Sequence, residues 1–366
     1  MRVIIAYGSA ATTRTRHALS FTIACLGFWG YLHWLIGGSM LHKMPLNLFI
    51  FICLFSGVSS AVAGPNHETH NWSTDHKAFA SAKIDSRRFL NNLNVFEKSQ
   101  SFEILASDFK LKLEELTGVR DIKINGATAR INERGSDKGR KLARQWLAQE
   151  YQVLGFVVTE HNYGKGANFI AEKIGNSGKV LILSSHMDSV SNAGANDDGT
   201  GTIANLLIAK AIVGVPLKHT LRIIAFDNEE QGLVGSNAYV KTLSDKSQII
   251  GDIQMEMMAY NSKKDGKFHV IDCNRKDSTF MTDAIMNAIQ SSALPLVRVK
   301  ACTERSDHGA FWEANIPAIV ISENFFGGDG DVCYHKKCDI VDDRLDFNYA
   351  SLIAKAVGIM VADILK

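Results

Sequence analysis

The chain has 366 residues, of which 46% are hydrophobic, and a formal net charge of +2 at pH 7. This length and apolar content are sufficient for a large buried core. The near balance of acidic and basic residues argues against a protein that binds nucleic acid through its overall charge.

A hydrophobic stretch over residues 45–63 has the features of a secretory signal peptide. Lys43 places a positive charge ahead of it, its centre is short and apolar, and it ends in the small residues "AVA". We therefore predict a signal peptide over residues 44–63, cleavage after Ala63, and a secreted or periplasmic protein.

An earlier hydrophobic stretch, over residues 19–38, is long enough to cross a bilayer, which takes about 20 apolar residues. His33 would then lie inside the membrane. Residues 1–43 are therefore either an extra membrane segment or a leader upstream of a translation start at Met40 or Met44, and we favour the upstream leader. On that interpretation the protein meets a membrane only during export, unless the first stretch is retained.

The cysteines fit an oxidising compartment. Two of the six fall in the leader, and four remain: Cys273, Cys302, Cys333 and Cys338. An even number of cysteines in an exported protein favours disulfides over free thiols. Pairing of Cys333 with Cys338 would close a small loop, and four buried thiols are the alternative.

Residues 64–107 are polar and only weakly periodic, so we expect a pro-segment or surface extension ahead of a catalytic domain over residues 108–366. Three histidines in this segment could bind a metal, but we expect them to be solvated: His67, His70 and His76. Whether the segment is removed on activation stays open.

Strand-like and helical segments alternate through the rest of the chain. The strand-like segments are "GFVVTEH", "NFIAEKIG", "VLILSS", "TLRIIAF", "DIQMEM", "KFHVID" and "IPAIVIS". Helices are predicted over residues 138–154, from about Thr202, through "GSNAYVKTL", over residues 278–293 and from Tyr349. Strands rich in Ile, Val and Leu between helices predict one α/β domain, a three-layer sandwich whose mixed, mostly parallel central sheet is covered by helices on both faces.

Side chains that bind metals follow four of these strands. They are His186 and Asp188 after "VLILSS", Asp197 and Asp198 in "GANDDGTG", Glu229 and Glu230 after "TLRIIAF", Glu256 in "DIQMEM", and His335 beyond "IPAIVIS". Ligands of open α/β sheets bind at the carboxyl ends of the strands, so we expect these groups to converge.

Several carboxylates in one pocket would repel one another unless cations lay among them. Two imidazoles with a majority of oxygen ligands suit Zn²⁺, with Mn²⁺ or Co²⁺ as substitutes. Asp197, in a glycine-flanked loop, is the natural bridge between two ions. Asp188 can accept the second ring N–H of His186, and we expect Asp198 to interact with backbone N–H groups at a helix start rather than with a metal.

The motifs "HMDS", "GANDDGTG", "FDNEEQGLVGSNAY", "QMEMMAY", "SDHGAF" and "CYHKKCD" follow one another in this order. Together they resemble the zinc aminopeptidase family typified by secreted bacterial leucyl aminopeptidases, the twenty-eighth metallopeptidase family. The resemblance runs from about Ile131 to the carboxyl end. Two departures are that family members mostly carry aspartate in place of Glu256, and a proline within the segment written here as "GAF".

The resemblance implies two zinc ions bridged by Asp197. It implies further that His186 and Glu256 complete one ion and that Glu230 and His335 complete the other. Glu229 would be the general base that takes a proton from the attacking water, and Tyr334 would hydrogen-bond the oxyanion. Asp307 and His308 are expected to support the loop that carries the site, and His161, His219 and His269 to be ordinary surface or core residues.

The activity that the resemblance implies is removal of amino-terminal, leucine-like residues from peptides by a monomeric enzyme. A carboxypeptidase on the same scaffold would need a basic pocket, for which Arg298 and Arg305 are the candidates. A glutaminyl cyclase would use a single zinc. A binding ectodomain without activity would be expected to have lost Glu229 or a ligand, and none is lost.

Overall fold

The computed structural model describes residues 102–366. The predicted leader, the predicted signal peptide and the segment 64–101 lie outside the described residues. The first described helix, α1 (Ala106–Leu116), contains the predicted start of the catalytic domain at residue 108 and buries Phe109, Leu113 and Leu116. Phe102 is also buried in the core, so the chain belongs to the folded domain from the first described residue onward.

Eight strands form one sheet. They are β3 Val157–Asn162, β4 Ala167–Lys173, β5 Val180–His186, β6 Thr220–Phe226, β7 Ile249–Glu256, β8 Lys267–Ile271, β9 Val297–Val299 and β10 Ala318–Glu323. Their order across the sheet is β3-β4-β6-β5-β7-β10-β8-β9. The central strands β6, β5, β7 and β10 are parallel, and antiparallel pairs occur at β3–β4, β4–β6 and β10–β8. This confirms the predicted mixed, mostly parallel sheet.

Helices cover both faces of this sheet. They are α2 Asp137–Val153, α3 Gly201–Ile212, α4 Val234–Lys241, α5 Thr279–Ser291, α6 His308–Glu313 and α7 Phe347–Ile364. Successive strand residues point to opposite faces, so Leu181 and Leu183 belong to one apolar cluster, with α3 and α7, whereas Ile182 belongs to a second cluster with Phe311 of α6. The three-layer architecture is thereby confirmed.

Helix α7 is the one helix between residues 102 and 366 that is long and apolar enough to cross a membrane by length and composition. Within this fold, 67% of its apolar window is buried. Asp346 begins the helix by accepting the backbone N–H of Tyr349, and the helix packs on α3 and α5 through residues such as Ile353 and Val357.

The structure differs from the sequence prediction mainly in its short elements. The hairpin of β1 (Ile122–Ile124) and β2 (Ala127–Ala129), the three-residue strand β9 and the helix α6 were not predicted. Strand β7 ends at Glu256, one residue earlier than the segment "DIQMEM", because Met257 turns into a left-handed backbone conformation with φ 46°.

Two disulfides join the four cysteines of the described residues. Cys273 pairs with Cys302, which ties the segment after β8 to the segment before α6. Cys333 pairs with Cys338, as the sequence suggested, and closes the loop that carries Tyr334 and His335. The Cys333–Cys338 bridge therefore constrains the loop that follows the carboxyl end of β10.

Candidate metal centre

Four neighbouring parallel strands end at one edge of the sheet. β5 ends at His186 and β7 ends at Glu256. The loop after β6 begins at Asp227 and carries Glu229 and Glu230, and the loop after β10 leads to His335. The expected convergence of these side chains is present in the structure.

Asp197 lies between two imidazoles. Its Oδ1 is 3.2 Å from Nε2 of His186, and its Oδ2 is 3.2 Å from Nε2 of His335. A second carboxylate stands beside each imidazole: Glu256 Oε1 is 3.6 Å from His186 Nε2, and Glu230 Oε2 is 3.0 Å from His335 Nε2. The five groups therefore form two sets that meet at one shared carboxylate.

Asp198 lies close enough to His186 and Glu256 to join a ligand group with them, yet its carboxylate is occupied by the backbone. It accepts N–H groups from Gly201 at 2.9 Å, from Met257 at 3.0 Å and from His186 at 3.2 Å. The expected role at the start of a helix agrees with this geometry, since Gly201 begins α3. Asp198 thus joins the ends of β5 and β7 to that helix.

Oε1 of Glu230 is buried without a hydrogen-bond partner among the described residues, and Oδ2 of Asp197 has only the imidazole of His335 beside it. Unpaired buried polar atoms are rare in folded proteins, and an ion is one of their ordinary explanations. Two imidazoles and three carboxylates form a donor set that zinc accepts. The residues present therefore fit divalent cations of the zinc type.

Burial and mutual repulsion shift the protonation of the carboxylates. Burial, together with Asp307 and Glu256, raises the pKa of Glu229 to about 10. Burial, followed by repulsion from Asp197, raises the pKa of Glu230 to about 7. Without cations the site would have to hold protons in their place, because crowded carboxylates cannot all stay ionised.

The pKa of Asp197 shifts in the opposite sense from those of the two glutamates. Burial alone would raise the pKa of Asp197, but hydrogen bonds from His186 and His335 lower it to about 2. Burial disfavours a charged His186, and the nearby Glu256 and Glu229 nonetheless raise its pKa well above the usual value. The site is therefore a pocket of negative potential that attracts cations.

Asp188 organises two parts of the site. Its Oδ1 lies 3.5 Å from Nδ1 of His186, the contact that the sequence suggested. Its two oxygens also accept the backbone N–H groups of Glu229 at 3.1 Å and Glu230 at 3.2 Å. One buried carboxylate thus orients an imidazole and fixes the backbone from which both glutamates project.

Arg134 is a site residue that the sequence did not reveal. The side chain is completely buried, and its Nε donates to the carbonyl of Met187 at 2.6 Å. Its terminal nitrogens donate to the carbonyls of Ala193 and Gly194. Gly194 has φ 57°, and a Cβ at this position would lie 2.7 Å from the guanidinium. Arg134 therefore holds the loop between His186 and Asp197, and the loop leaves no room for a side chain at Gly194.

A second support lies under Asp197. The carboxylate of Asp339 accepts backbone N–H groups from Asn196 at 2.7 Å and Asp197 at 3.2 Å. The side-chain amide of Asn196 in turn donates to Glu323 at 2.9 Å and to Asp331 at 3.1 Å. The loop that presents Asp197 is therefore fixed from both sides.

Tyr334 and the "SDH" segment stand at the rim. The ring of Tyr334 stacks on that of His335, with centroids 3.8 Å apart, and lines the cleft. His308 donates Nε2–H to the carbonyl of Thr303 at 2.9 Å, and burial lowers its pKa to about 4, so it is neutral. Asp307 is buried beside it, and burial raises its pKa to about 8.

The three histidines that were expected to be ordinary residues make ordinary contacts. His161 bonds to the side chain of Asn168 and His219 to that of Ser177. His269 donates through Nδ1 to the carbonyl of Val299 and accepts the N–H of Phe326 at Nε2.

A cleft opens over the two sets of side chains. Its apolar wall contains Met257, Ile271, Val320, Phe325 and Phe326. Its polar lining contains His186, Asp197, Glu229, Glu256, Tyr334 and His335, together with Arg305. The arrangement can receive an apolar group beside a centre rich in carboxylates.

The fold and this cluster define an α/β protein built to hold divalent cations at the carboxyl ends of its central strands. Residues 168–358 match the family described as peptidase family M28. The chain belongs to that family, and the resemblance seen in the sequence is confirmed.

Similar proteins of known name match only part of this chain. It is 32% identical over 240 residues to leupeptin-inactivating enzyme 1 of Streptomyces exfoliatus, across 57% of this chain and 53% of that protein. It is also 32% identical over 191 residues to aminopeptidase Y of Saccharomyces cerevisiae, across 48% of this chain and 35% of that protein. The chain thus spans about a third to a half of the length of these relatives.

The crystal structure of the Legionella pneumophila LapA aminopeptidase has the same fold. It matches with a TM-score of 0.63 at 20% identity, over 74% of this chain and 74% of that one.

Proposed function

We propose that the protein is an exported zinc aminopeptidase that removes leucine-like residues from the amino termini of peptides. One observation carries the proposal: the two oxygens of Asp197 face two imidazoles, each at 3.2 Å, and a further carboxylate stands beside each imidazole. A carboxylate shared between two ligand sets is what a two-metal hydrolase requires.

In this proposal His186 and Glu256 hold one zinc ion, Glu230 and His335 hold the other, and Asp197 contacts both. When bound, the ions supply Lewis acidity that polarises a carbonyl and makes a water more acidic. The donor atoms lie close together without further folding: those of Asp197, Glu230 and His335 fall within 4.8 Å of one another, and His186 Nε2 is 3.2 Å from Asp197 and 3.6 Å from Glu256.

Glu229 and Tyr334 act on the substrate. Glu229 lines the cleft beside the proposed ligands and belongs to neither set. Bound cations would offset the negative charge that raises its pKa, and its carboxylate could then take the proton of the attacking water and pass it to the leaving amine. Stacking on His335 keeps the phenol of Tyr334 at the cleft, where it donates to the oxyanion.

The cleft favours a peptide with a free amino group and an apolar first side chain. Glu229 and Glu256 attract an α-ammonium group. Met257, Ile271 and Phe325 are among the apolar residues of the wall that can pack on the side chain.

The alternatives have weaker support. A carboxypeptidase specific for acidic residues needs a basic pocket, and the cleft formed by the described residues contains one arginine, Arg305. Arg298 is bound to Asp272 at 2.8 Å instead. A glutaminyl cyclase that uses a single zinc ion would leave one of the two ligand sets unused. A binding ectodomain has no need of Glu229.

Hydrolysis of leucine p-nitroanilide by the purified chain tests the proposal. We expect turnover that a chelator abolishes and zinc restores, and no turnover of the same substrate with an acetylated amino group. A substrate with an amino-terminal glutamine should be hydrolysed rather than cyclised. Absence of any turnover in zinc-loaded protein would favour the binding ectodomain.

Two variants separate the neighbouring glutamates. Glu229→Gln should reduce kcat by about 10²- to 10⁴-fold and leave two zinc ions bound. Glu230→Gln should weaken zinc binding, because it removes a charge 3.0 Å from His335. Loss of zinc in the Glu229 variant alone would mean that the two roles are exchanged.

Export is proposed from the signal peptide over residues 44–63 and agrees with the two disulfides of the described domain. Sequencing the amino terminus of the secreted protein should show that residues before Gly64 are absent, and their presence would contradict the proposal. We propose that the enzyme acts as a monomer.

A further inference from the structure

His269 links strand β8 to the loop that follows β10. Its side chain is completely buried. Nδ1 lies 2.8 Å from the carbonyl oxygen of Val299 on β9, and Nε2 lies 3.0 Å from the backbone nitrogen of Phe326. Phe326 belongs to the short turn Phe325–Gly327, whose two phenylalanines are part of the apolar wall of the cleft. One buried imidazole thus joins the edge of the sheet to the cleft wall.

The two hydrogen bonds fix the tautomer of His269. A backbone N–H can only donate, so Nε2 must be the ring nitrogen that carries no proton. The ring proton is then on Nδ1, which donates it to the carbonyl of Val299. A charged imidazole would place one N–H against another at Phe326, and burial lowers the pKa of His269. Both effects favour the neutral ring that this contact needs.

Aromatic rings continue from His269 toward the metal centre. The imidazole packs on the ring of Phe326, with centroids 5.8 Å apart. Phe326 meets Phe325 edge to face at 5.2 Å, and Phe325 meets Tyr334 in the same way at 5.2 Å. Tyr334 in turn stacks on His335. Edge-to-face contacts depend on orientation, so a displaced Phe326 would disturb the rings that follow it.

The turn has firm supports on its far side, whereas the ring of Phe326 is 50% exposed. Gly327 and Asp329 donate their backbone N–H groups to the carbonyl of Asn324. The carboxylate of Asp329 accepts the hydroxyl of Ser262. These contacts fix the end of the turn, and His269 supplies a buried acceptor to its middle from another strand.

We propose that His269 is a positioning residue for substrate selectivity, which holds Phe326, and through it Phe325, so that the apolar wall is in place for a leucine-like side chain. This inference rests on the proposed function, because it assumes that the cleft receives the first side chain of a peptide. A wall that had to become ordered on binding would lose part of the affinity gained by packing. His269 should therefore affect the choice between large and small first residues rather than the chemical step.

Steady-state kinetics with leucine and alanine p-nitroanilides test the inference on the wild type, His269→Asn and His269→Gln. Asparagine can keep the bond to Val299 but is too short to reach Phe326. The ratio of kcat/KM for leucine to that for alanine should fall about tenfold in this variant, mainly through a higher KM for leucine. Glutamine can place its amide oxygen near the position of Nε2 and should restore most of the ratio.

A double variant tests whether His269 acts through Phe326. Phe326→Ala should lower the same ratio, and adding His269→Asn to it should have little further effect, because residues that act through one contact are not additive. Hydrogen–deuterium exchange at the Phe326 amide gives a readout that does not depend on turnover. Exchange should be faster in His269→Asn than in the wild type and in His269→Gln.

His161→Asn is the matched control. His161 also packs edge to face on an aromatic ring, that of Tyr239 at 5.6 Å, and its ring bonds to the side chain of Asn168. It lies on β3 at the opposite edge of the sheet from β9. Its selectivity and its exchange at Phe326 should equal those of the wild type.

Three outcomes would overturn the inference. The first is a His269→Asn variant with the selectivity and the Phe326 exchange of the wild type. The second is an equal fall of kcat/KM for both substrates with a lower melting temperature, which would mean that His269 only supports the fold. The third is a zinc-loaded wild type without turnover, which would remove the proposed function as well and is recognised without any variant.

Discussion

Replacement of Arg134 by methionine should destabilise the domain by an amount that the structure allows us to work out. The guanidinium is completely buried and donates to three carbonyls, those of Met187, Ala193 and Gly194. Methionine fills much of the volume but donates no hydrogen bond. The substitution therefore leaves three carbonyls of the site loop without their partner.

The expected loss is about 3–5 kcal/mol of the free energy of unfolding, because three hydrogen bonds to buried carbonyls are lost at about 1–1.5 kcal/mol each. Arg134 also offsets the charges of Asp339, Asp188, Asp198 and Asp197, so repulsion among them grows when it is removed. Domains of this kind are stable by about 5–15 kcal/mol, so the loss is a large fraction of the total. A fall in the melting temperature of about 6–20 °C corresponds to it.

Urea denaturation of the metal-free protein, followed by circular dichroism, measures the change. Arg130→Met is the matched control, because Arg130 is exposed and solvent screens its ion pair with Asp121 at 2.7 Å, so the loss of this pair should change the stability little. Arg134→Lys should lie between the two, since one ammonium group keeps the charge but cannot serve the three carbonyls equally well. Equal stabilities of the Arg134→Met and Arg130→Met variants would refute the reasoning.

Three further predictions concern the metal centre. Zinc affinity should fall as the pH is lowered from about 8 to 6, by about tenfold per pH unit for each proton that zinc displaces. The reason is that the pKa of His335 is raised by its bond to Asp197 and that of Glu230 is about 7, so protons compete with zinc in this range. Calorimetric titrations at several pH values measure the affinity, and an affinity independent of pH would contradict the prediction. Tyr334→Phe removes the phenol that donates to the oxyanion, so kcat should fall by about 10²- to 10³-fold. The ring stays stacked on His335, so the zinc affinity should be unchanged. Steady-state kinetics and zinc titration measure both, and a parallel loss of zinc would place the phenol in the metal site. Replacing Cys333 and Cys338 together by serine should lower the free energy of unfolding by about 2 kcal/mol and weaken the affinity for the zinc ion assigned to His335. Urea denaturation and zinc titration measure the two effects. Unchanged values would show that the bridge does not support the loop.

The long elements were predictable because their patterns are local. The segment "TLRIIAF" coincides with β6 (Thr220–Phe226) residue for residue, since a short run that is apolar apart from Thr220 and Arg222 is typical of a strand buried on both faces. The helix predicted over residues 138–154 is α2, displaced by one residue. By contrast, β9 and α6 contain three and six residues, too few to show a period, and they depend on the neighbours that they pack against.

The candidate ligands were predictable for a different reason. They follow strands of one parallel sheet, whose carboxyl ends must meet at one edge. Arg134 gave no such signal, because it acts on carbonyls about 60 positions away along the chain, and those carbonyls belong to residues of no distinctive type.

The chain's own order of residues thus determined the sheet, the family and the chemical character of the centre, because apolar periodicity and strand ends are properties of neighbouring positions. The tertiary structure alone decided how that centre is held: Arg134 under the loop and Asp339 beneath Asp197. Those supports are hydrogen bonds between groups far apart in the chain, and their directions exist only once the backbone has folded.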